Sequence, residues 1–168
     1  SLLHINRLTD PNYAGGALLD LGIYPISFAY FVFGKPEKVT AKGVVENGVD
    51  LQTSAILEYS GGRQAVINTV MNSKTPTTAS INGTKARLEL STSFYRPTDM
   101  RIVYNDGRVV EFKNEYRGHG LREQAIYFEK MLITGKKDSE LLPISETVSI
   151  METMDEIRSQ IGLKYPIE

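Results

Sequence analysis

The residues best suited to chemistry lie in a glycine-rich apolar stretch, residues 15–25, which reads GGALLDLGIYP. It places a carboxylate, Asp20, and a phenol, Tyr24, four residues apart. Residues four apart on a helix share one face, and glycines allow a ligand or another segment to come close. We predict that Gly22 leaves the space between the two polar groups free of a side chain. Asp20 and Tyr24 are therefore the candidate catalytic residues.

Proton transfer by a tyrosine needs help, because the phenol titrates near ~10 when nothing perturbs it. A nearby cation would have to stabilise the phenolate at neutral pH. Arg7 and Asp10 lie ahead of the stretch at Arg-x-x-Asp spacing, and we interpret them as a local ion pair that steadies the chain there. The alternative to catalysis is structural: Asp20 at a helix terminus or turn, and Tyr24 as a core ring with its hydroxyl at the surface.

Composition limits the classes of function. A chain of 168 residues fits one domain with one core. A net charge of -1 leaves no basic excess for a phosphate backbone, so we expect no nucleic-acid partner. The absence of cysteine excludes disulfides and thiol chemistry and is consistent with a cytoplasmic location. The longest apolar run, residues 23–33, is too short to span a bilayer and indicates a core helix without a membrane partner.

Metal, hydrolase and dinucleotide motifs are weak in this sequence. His4 and His119 are far apart and have no acidic cluster at ligand spacing, so we predict surface or helix-start roles for them and no metal site. No Gly-x-Ser-x-Gly motif is present. Residues 118–123, GHGLRE, lack the third glycine of a dinucleotide-binding turn and follow a charged segment. We interpret them as a helix start, and we expect no tight dinucleotide binding by this chain alone.

Hydrophobic periodicity predicts the order of the elements. Residues 1–14 are predicted to be an irregular lead-in, and residues 15–33 a helix with a break or kink near Gly22 that exposes Tyr24 at a helix start. Alternation predicts seven strands, at residues 39–45, 51–59, 64–71, 77–81, 86–90, 100–104 and 109–112. Turn residues at 60–62, 82–85 and 105–107 predict hairpins, and the sequon at 82–84 is interpreted as one of these turns.

Two helices are predicted to close the chain, at residues 120–134 and after Pro143, where Ser145 is the expected N-cap. The second helix carries apolar residues at helical spacing: Val148, Met151, Met154, Ile157 and Ile161. The order of helix, strands and helices predicts an α+β fold, a largely antiparallel open-faced sheet with helices packed on one face. The other face would be exposed, so we expect it to mediate a homo-dimer or higher oligomer.

The stretch at residues 15–25, with Arg7 and Asp10 ahead of it and Gly34 behind, resembles the start of the C-terminal domain of Gfo/Idh/MocA oxidoreductases, in the dimeric dihydrodiol dehydrogenase-like branch. Further motifs match in the same order, at residues 48–50, 81–86, 142–147 and 157–166. The resemblance implies a fold similar to the C-terminal domain of glyceraldehyde-3-phosphate dehydrogenase. It also implies that residues 1–168 are a single substrate-binding and oligomerisation domain. Residues 1–14 would then lead in from an N-terminal Rossmann domain that this sequence lacks.

The resemblance implies an NAD(P)-dependent oxidoreductase of a secondary alcohol, diol or sugar-like small molecule. NAD or NADP would be bound mainly by the N-terminal domain, which would also supply a catalytic lysine from a Glu-Lys-Pro motif; residues 35–37 cannot be assigned that role. Tyr24 would move the proton, and Asp20 would orient substrate or catalytic groups. Many members carry histidine in place of Tyr24, and some related enzymes carry arginine where Val44 follows Gly43.

We expect the isolated domain to be inactive, because it lacks the cofactor-binding fold and the cationic partner. The alternative is a non-catalytic ligand-binding or assembly module, in which residues 15–25 only pack a helix against the sheet.

Overall fold

The structure, a computed structural model, describes residues 2–4, 6–118 and 120–166. It divides into two compact units, one of Ser1–Thr75 with Leu141–Glu168 and one of Pro76–Glu140, and each is described by itself below. His4 is exposed, whereas His119 lies outside the described residues. Antiparallel sheets and helices together confirm the α+β class. The assignment of the whole chain to one domain stays a prediction.

Helices and strands follow in chain order. They are α1 (Asn6–Thr9), a 3-10 turn (Pro11–Tyr13), a π-helical turn (Leu18–Gly22), α2 (Ile23–Phe33), β1 (Lys38–Glu46), β2 (Val49–Tyr59), a second 3-10 turn (Ser60–Gly62), β3 (Arg63–Val70), β4 (Ala79–Asn82), β5 (Ala86–Leu90), β6 (Met100–Tyr104), β7 (Val109–Phe112), α3 (Leu121–Ile133) and α4 (Ile144–Ile161). All seven predicted strands are present, and the predicted turns join them as antiparallel hairpins.

The core of the first unit lies between a three-stranded sheet, in the order β1-β2-β3, and the helices α2 and α4. Successive strand residues point to opposite faces, so every second side chain of the sheet contributes to this core. Leu57 of β2, Ile26 of α2 and Ile157 of α4 are each 0% exposed. Gly43 allows α4 to approach β1, since a Cβ there would lie 3.1 Å from the Cβ of Ile161.

The opposite face of this sheet is mixed in character. Its central row runs across the three strands as Thr40, Ile56 and Val66, and Val66 is 76% exposed. The next row is polar, and in it the Asn68 side chain donates to the hydroxyl of Ser54 at 2.8 Å. One apolar row therefore stays accessible among polar neighbours.

The chain does not break at Gly22, contrary to the prediction, but the second part of that prediction is confirmed, because Tyr24 lies in the first turn of α2 and is 43% exposed. Gly22 has right-handed helical angles (φ -68°, ψ -25°), and a π-helical turn leads without interruption into α2. Pro25 lies in the first turn of α2, where proline is tolerated, but its ring would collide with the carbonyl four residues earlier if a regular α-helix continued ahead of it. A wider π turn ahead of a proline relieves that crowding, so the chain stays helical instead of breaking.

Residues Pro11–Phe33 are long and apolar enough to cross a membrane by length and composition, with a mean hydropathy of 1.5. They are not one helix, however, because Ala14 (φ 51°) and Gly16 (φ 124°) have left-handed backbone angles. The helical part that follows comprises the π turn and the 11 residues of α2. α2 packs against the sheet through Ile26, Ala29 and Tyr30.

Other predicted helix details are also corrected. The lead-in is not irregular throughout, since it contains α1 and a 3-10 turn whose first N–H groups are capped by Asp10. Ser145 is not an N-cap: α4 begins at Ile144, and the Pro143 carbonyl accepts from the N–H groups of Glu146 and Thr147. The buried face of α4 includes Ile150, whereas Val148 and Met151, two of the apolar residues at helical spacing, are exposed.

The second unit contains a four-stranded antiparallel sheet, in the order β4-β5-β6-β7, and α3. The strand register aligns four apolar side chains on one face: Ile81, Leu88, Ile102 and Val110. The other face carries an ionic row in which Glu89 accepts from Arg87 and Arg101. Every residue of α3 is at least partly exposed within this unit.

The turn ahead of the π-helical segment is tightly enclosed. A Cβ on Gly15 would lie 2.6 Å from the Leu8 carbonyl oxygen, and a Cβ on Gly16 would lie 2.2 Å from Oδ1 of Asp50. Gly16 also has a φ of 124°, which L side chains rarely adopt. Both positions therefore require glycine, because neither has room for a Cβ. At Gly16 the positive φ is a second reason.

We predict that Gly16→Ala destabilises the protein by about 3 kcal/mol or more, because strain and a clash with a buried carboxylate combine. The matched control is Gly162→Ala at the end of α4, where φ is 74° and, among the described residues other than its chain neighbours, no atom lies within 4 Å of the added Cβ. That change should cost about 1–2 kcal/mol, the cost of the left-handed conformation alone. Urea unfolding of both variants measures the difference, and equal losses would contradict the prediction.

Two buried tyrosines in the core differ in hydrogen bonding. The hydroxyl of Tyr30 donates to the Ser149 carbonyl at 2.8 Å and lies 2.8 Å from the hydroxyl of Thr153. The hydroxyl of Tyr59 has no hydrogen-bond partner among residues 2–4, 6–118 and 120–166. Burial raises the pKa of Tyr59 to about 12.

We predict that Tyr30→Phe destabilises the protein by about 1–2 kcal/mol, because it leaves buried partners of the hydroxyl without that bond. Tyr59→Phe should change stability near pH 8 by less than about 0.5 kcal/mol. The phenol of Tyr59 ionises first in the unfolded chain, so its contribution to stability is lost as the pH rises from about 10 through about 12. Tyr59→Phe should therefore reduce alkaline destabilisation, measured by urea unfolding at about pH 8 and about pH 11. A large loss at pH 8 would contradict this.

Candidate active site

The structure places Asp20 and Tyr24 on one continuous helical segment. Asp20 lies in the π turn and Tyr24 in the first turn of α2. Their side chains are both accessible, that of Asp20 at 30% and Tyr24 at 43%. A carboxylate and a phenol of this segment are thus both open to solvent. The predicted pair therefore lies at the surface and not in the core.

A cation also reaches Asp20 from the N-terminal segment. The Arg7 guanidinium, on α1, donates to Oδ1 of Asp20 at 2.5 Å. The predicted ion pair between Arg7 and Asp10 is therefore wrong, because Asp10 caps the following 3-10 turn by accepting from the Asn12 backbone. Sequence spacing favoured the local partner, whereas the turn at residues 14–16 brings α1 back to the π-helical turn. Arg7 fixes the direction of the Asp20 carboxylate.

Gly22 has a different role from the predicted one. It is buried, and a Cβ at this position would lie 2.9 Å from Cδ1 of Leu18 and 3.5 Å from Cγ2 of Thr69 on β3. The missing side chain is therefore on the side that faces the sheet, not between Asp20 and Tyr24. Glycine at this position allows the helix to lie close to β3 while the polar pair faces outward.

The helix start is held by a residue that sequence reasoning did not select. Asp50, at the beginning of β2, is 0% exposed, and its Oδ2 accepts from the Leu18 N–H at 2.9 Å and the Thr53 hydroxyl at 2.6 Å. Burial raises the pKa of the Asp50 carboxyl, and these two hydrogen bonds act in the opposite direction. A carboxylate two residues after Gly48, between the apolar Val49 and Leu51 of β2, was the available signal.

The glycine string at residues 118–120 precedes α3 in the sequence. The first turn of α3 carries Glu123, which accepts from Arg122 and from the Tyr116 hydroxyl. A carboxylate at a helix N-terminus repels the phosphates that such a turn would have to bind. The residues of this chain therefore do not fit a nicotinamide dinucleotide at this position.

A shallow depression on the ionic face of the four-stranded sheet is a weaker candidate. Its lining includes Glu89, Arg101, Asp99 and Lys113. These charges are already paired, Glu89 with Arg101 at 2.5 Å and Asp99 with Lys113 at 3.1 Å. Within the described part of the chain, no three His, Cys, Asp or Glu residues form a group that could hold a metal ion. The pair on the helix is the better site.

Comparison with known proteins gives a family and curated relatives that share one name. The profile of the GFO/IDH/MocA C-terminal domain matches residues 4–89, just over half of the chain. The trans-1,2-dihydrobenzene-1,2-diol dehydrogenases of Mus musculus and Xenopus tropicalis are 35% and 33% identical to it over 176 and 173 residues. These alignments cover 98% and 96% of this chain but 52% of each relative. The chain thus spans about half the length of the curated relatives it matches.

Solved structures share the fold at lower identity. The 3-ketoreductase KijD10 of Actinomadura kijaniata, in complex with NADP and TDP-benzene, has a TM-score of 0.78 and 22% identity over 92% of this chain and 48% of its own. The aldose-aldose oxidoreductase of Caulobacter crescentus, complexed with glycerol, has a TM-score of 0.73 and 17% identity over 91% and 50%. The resemblance to the dihydrodiol dehydrogenase-like branch is confirmed. This chain belongs to the GFO/IDH/MocA family, as a member of its C-terminal domains.

Proposed function

We propose that this chain is the substrate-binding half of an NAD(P)-dependent oxidoreductase that acts on a secondary alcohol, diol or sugar-like compound. The observation that carries the proposal is the accessible pair of Asp20 and Tyr24 on one helical segment, with Asp20 fixed by Arg7. Relatives named as dihydrodiol dehydrogenases support the reaction class. Structures of the same fold that contain NADP or glycerol are consistent with such ligands.

Tyr24 performs the proton transfer in this proposal. When an alcohol is oxidised, its hydroxyl proton passes to the Tyr24 oxygen; in the reverse direction Tyr24 returns it to the carbonyl oxygen. Asp20 accepts a hydrogen bond from a substrate hydroxyl, and Arg7 holds the carboxylate in the required direction. A cationic group that stabilises the phenolate comes from an N-terminal dinucleotide-binding domain, which also covers the pair.

The remaining features of the whole protein follow from the same proposal. NAD or NADP is bound mainly by the N-terminal Rossmann domain, because the residues at the start of α3 do not fit it. The chain alone is inactive, and the complete enzyme is cytoplasmic. It assembles as a homo-dimer or higher oligomer through the outer face of the three-stranded sheet, where the row of Thr40, Ile56 and Val66 is accessible.

We predict that Tyr24→Phe in the full-length enzyme lowers kcat by about a hundredfold to ten-thousandfold, since the ring remains and only the proton-transferring hydroxyl is lost. The affinity for NAD(P), measured by nicotinamide fluorescence, should stay within about twofold of the wild type. Turnover is assayed with a panel of vicinal diols and sugars.

Tyr13→Phe is the matched control, because Tyr13 is 69% exposed and lies outside the helix that carries the pair. Its turnover should equal that of the wild type. If Tyr24→Phe turns over as fast as the wild type while chemistry limits the rate, Tyr24 is a packing residue. If the full-length protein binds no NAD(P), the chain belongs to a ligand-binding or assembly module instead.

We predict that Val66→Lys weakens self-association at least tenfold, because it places a charge in the apolar row of the proposed interface. Phe31→Lys is the control: Phe31 is 84% exposed but lies on α2, on the opposite side of the sheet. Sedimentation equilibrium of the full-length protein measures both. A wild type that is monomeric well above micromolar concentration, or equal weakening by both variants, would refute this interface.

A further inference from the structure

Asp50 is a buried carboxylate that binds the backbone at the start of the helix that carries the proposed site. Building on the proposed function, we infer that Asp50 is a positioning residue for Asp20 and Tyr24: its carboxylate fixes the start of their helix against β2. The side chain is 0% exposed, and 32 residues of sequence separate it from Leu18, whose N–H it accepts. The contact is therefore a tertiary one between strand and helix, not a local cap.

The local sequence offers no substitute for this contact. Ala17 directly precedes the π-helical turn, and an alanine side chain cannot accept a hydrogen bond from the helix N-terminus. Asp50 supplies both the acceptor and the negative charge that the partial positive charge of a helix N-terminus favours. The Thr53 hydroxyl, itself 2% exposed, donates to the same oxygen at 2.6 Å and holds the carboxylate in that direction.

A second contact holds the same turn from another side. The hydroxyl of Tyr165, a residue that follows α4, donates to the Gly15 carbonyl at 2.7 Å in a buried position. Gly16 lies between the two contacts with its Cα against Oδ1 of Asp50, where there is no room for a Cβ. The backbone of residues 15–18 is thus held by two buried polar groups from distant parts of the chain.

Asp20 is two residues, and Tyr24 six residues, beyond the N–H that Asp50 binds. The segment between them is continuous helix, so a shift or fraying at Leu18 is transmitted directly to both side chains. Proton transfer requires heavy atoms within hydrogen-bond distance, and a misplacement of about 1 Å can lower the rate about a hundredfold. Burying a carboxylate lowers the stability of the folded protein. We infer that Asp50 is retained because it places Asp20 and Tyr24 accurately.

The test is a double-mutant cycle in the full-length enzyme. Asp50→Asn keeps the shape and one acceptor oxygen but removes the charge and puts an NH₂ group among buried backbone donors. We expect it to lower kcat about tenfold to a hundredfold, with the affinity for NAD(P) within about twofold of the wild type. In a Tyr24→Phe background the same change should lower kcat less than about threefold, because no phenol remains to be misplaced.

Tyr30→Phe is the matched control, since it removes a buried hydrogen bond between α2 and α4 away from the helix start. It should lower thermal stability about as much as Asp50→Asn while leaving kcat within about twofold. Should Asp50→Asn fail to fold, Thr53→Val removes only the hydroxyl donor and should give a smaller kcat loss, about threefold to tenfold, that also vanishes with Tyr24→Phe.

Each outcome has a distinct meaning. If Tyr24→Phe abolishes turnover but the Asp50 and Thr53 changes leave kcat unaltered, or act additively with it, the positioning role is wrong and the proposed function stands. If Tyr24→Phe leaves turnover unaltered, the proposed proton donor is wrong, and the role of Asp50 toward it is wrong too.

Discussion

The geometry of the candidate site depends on one hydrogen-bonded carboxylate, that of Asp50. The helix with Asp20 and Tyr24 begins at Leu18, and the residues ahead of it, Gly15, Gly16 and Ala17, have no side chain that could accept a hydrogen bond from its first N–H groups. The bond from the Leu18 N–H to Asp50 and the bond from Tyr165 to the Gly15 carbonyl are buried contacts that fix that start. Burial disfavours the charged form of Asp50, so the chain accepts a cost in stability.

After its first turn, the helix is held on the sheet by apolar packing. Gly22 lets the helix lie close to Thr69, and one turn later Ile26 enters the core beside Leu57 and Ile157. Apolar burial is not directional, so it can hold α2 on the sheet without specifying how far the helix slides along its axis. The polar contacts at residues 15–18 specify that position. Apolar contacts thus hold the helix on the sheet, and polar contacts set its position along its axis. Neither kind of contact alone places the helix.

Local sequence patterns predicted the strands, because alternation and glycine turns are read within a few residues; residues 86–90, 100–104 and 109–112 match their strands to the residue. The α+β class followed from that order. Contacts that depend on tertiary structure were not predictable. Arg7 pairs with Asp20 and not with Asp10, which is nearer in the sequence. A π turn is present where a break was expected at Gly22. Of the site, the accessible pair was predicted, whereas its anchor Asp50 was only part of a recognised motif.

The residues of this helix that stabilise the fold are different from the residues proposed to take part in the reaction. Ile26, Ala29 and Tyr30 on the inner side of α2 contribute to the core, whereas Asp20 and Tyr24 on the accessible side contribute little to it. The exposed Arg7–Asp20 pair adds at most about 1 kcal/mol. Outer residues can therefore change without loss of the fold. Because the anchor is buried and remote in sequence, it can place whichever proton-transferring side chain occupies that position.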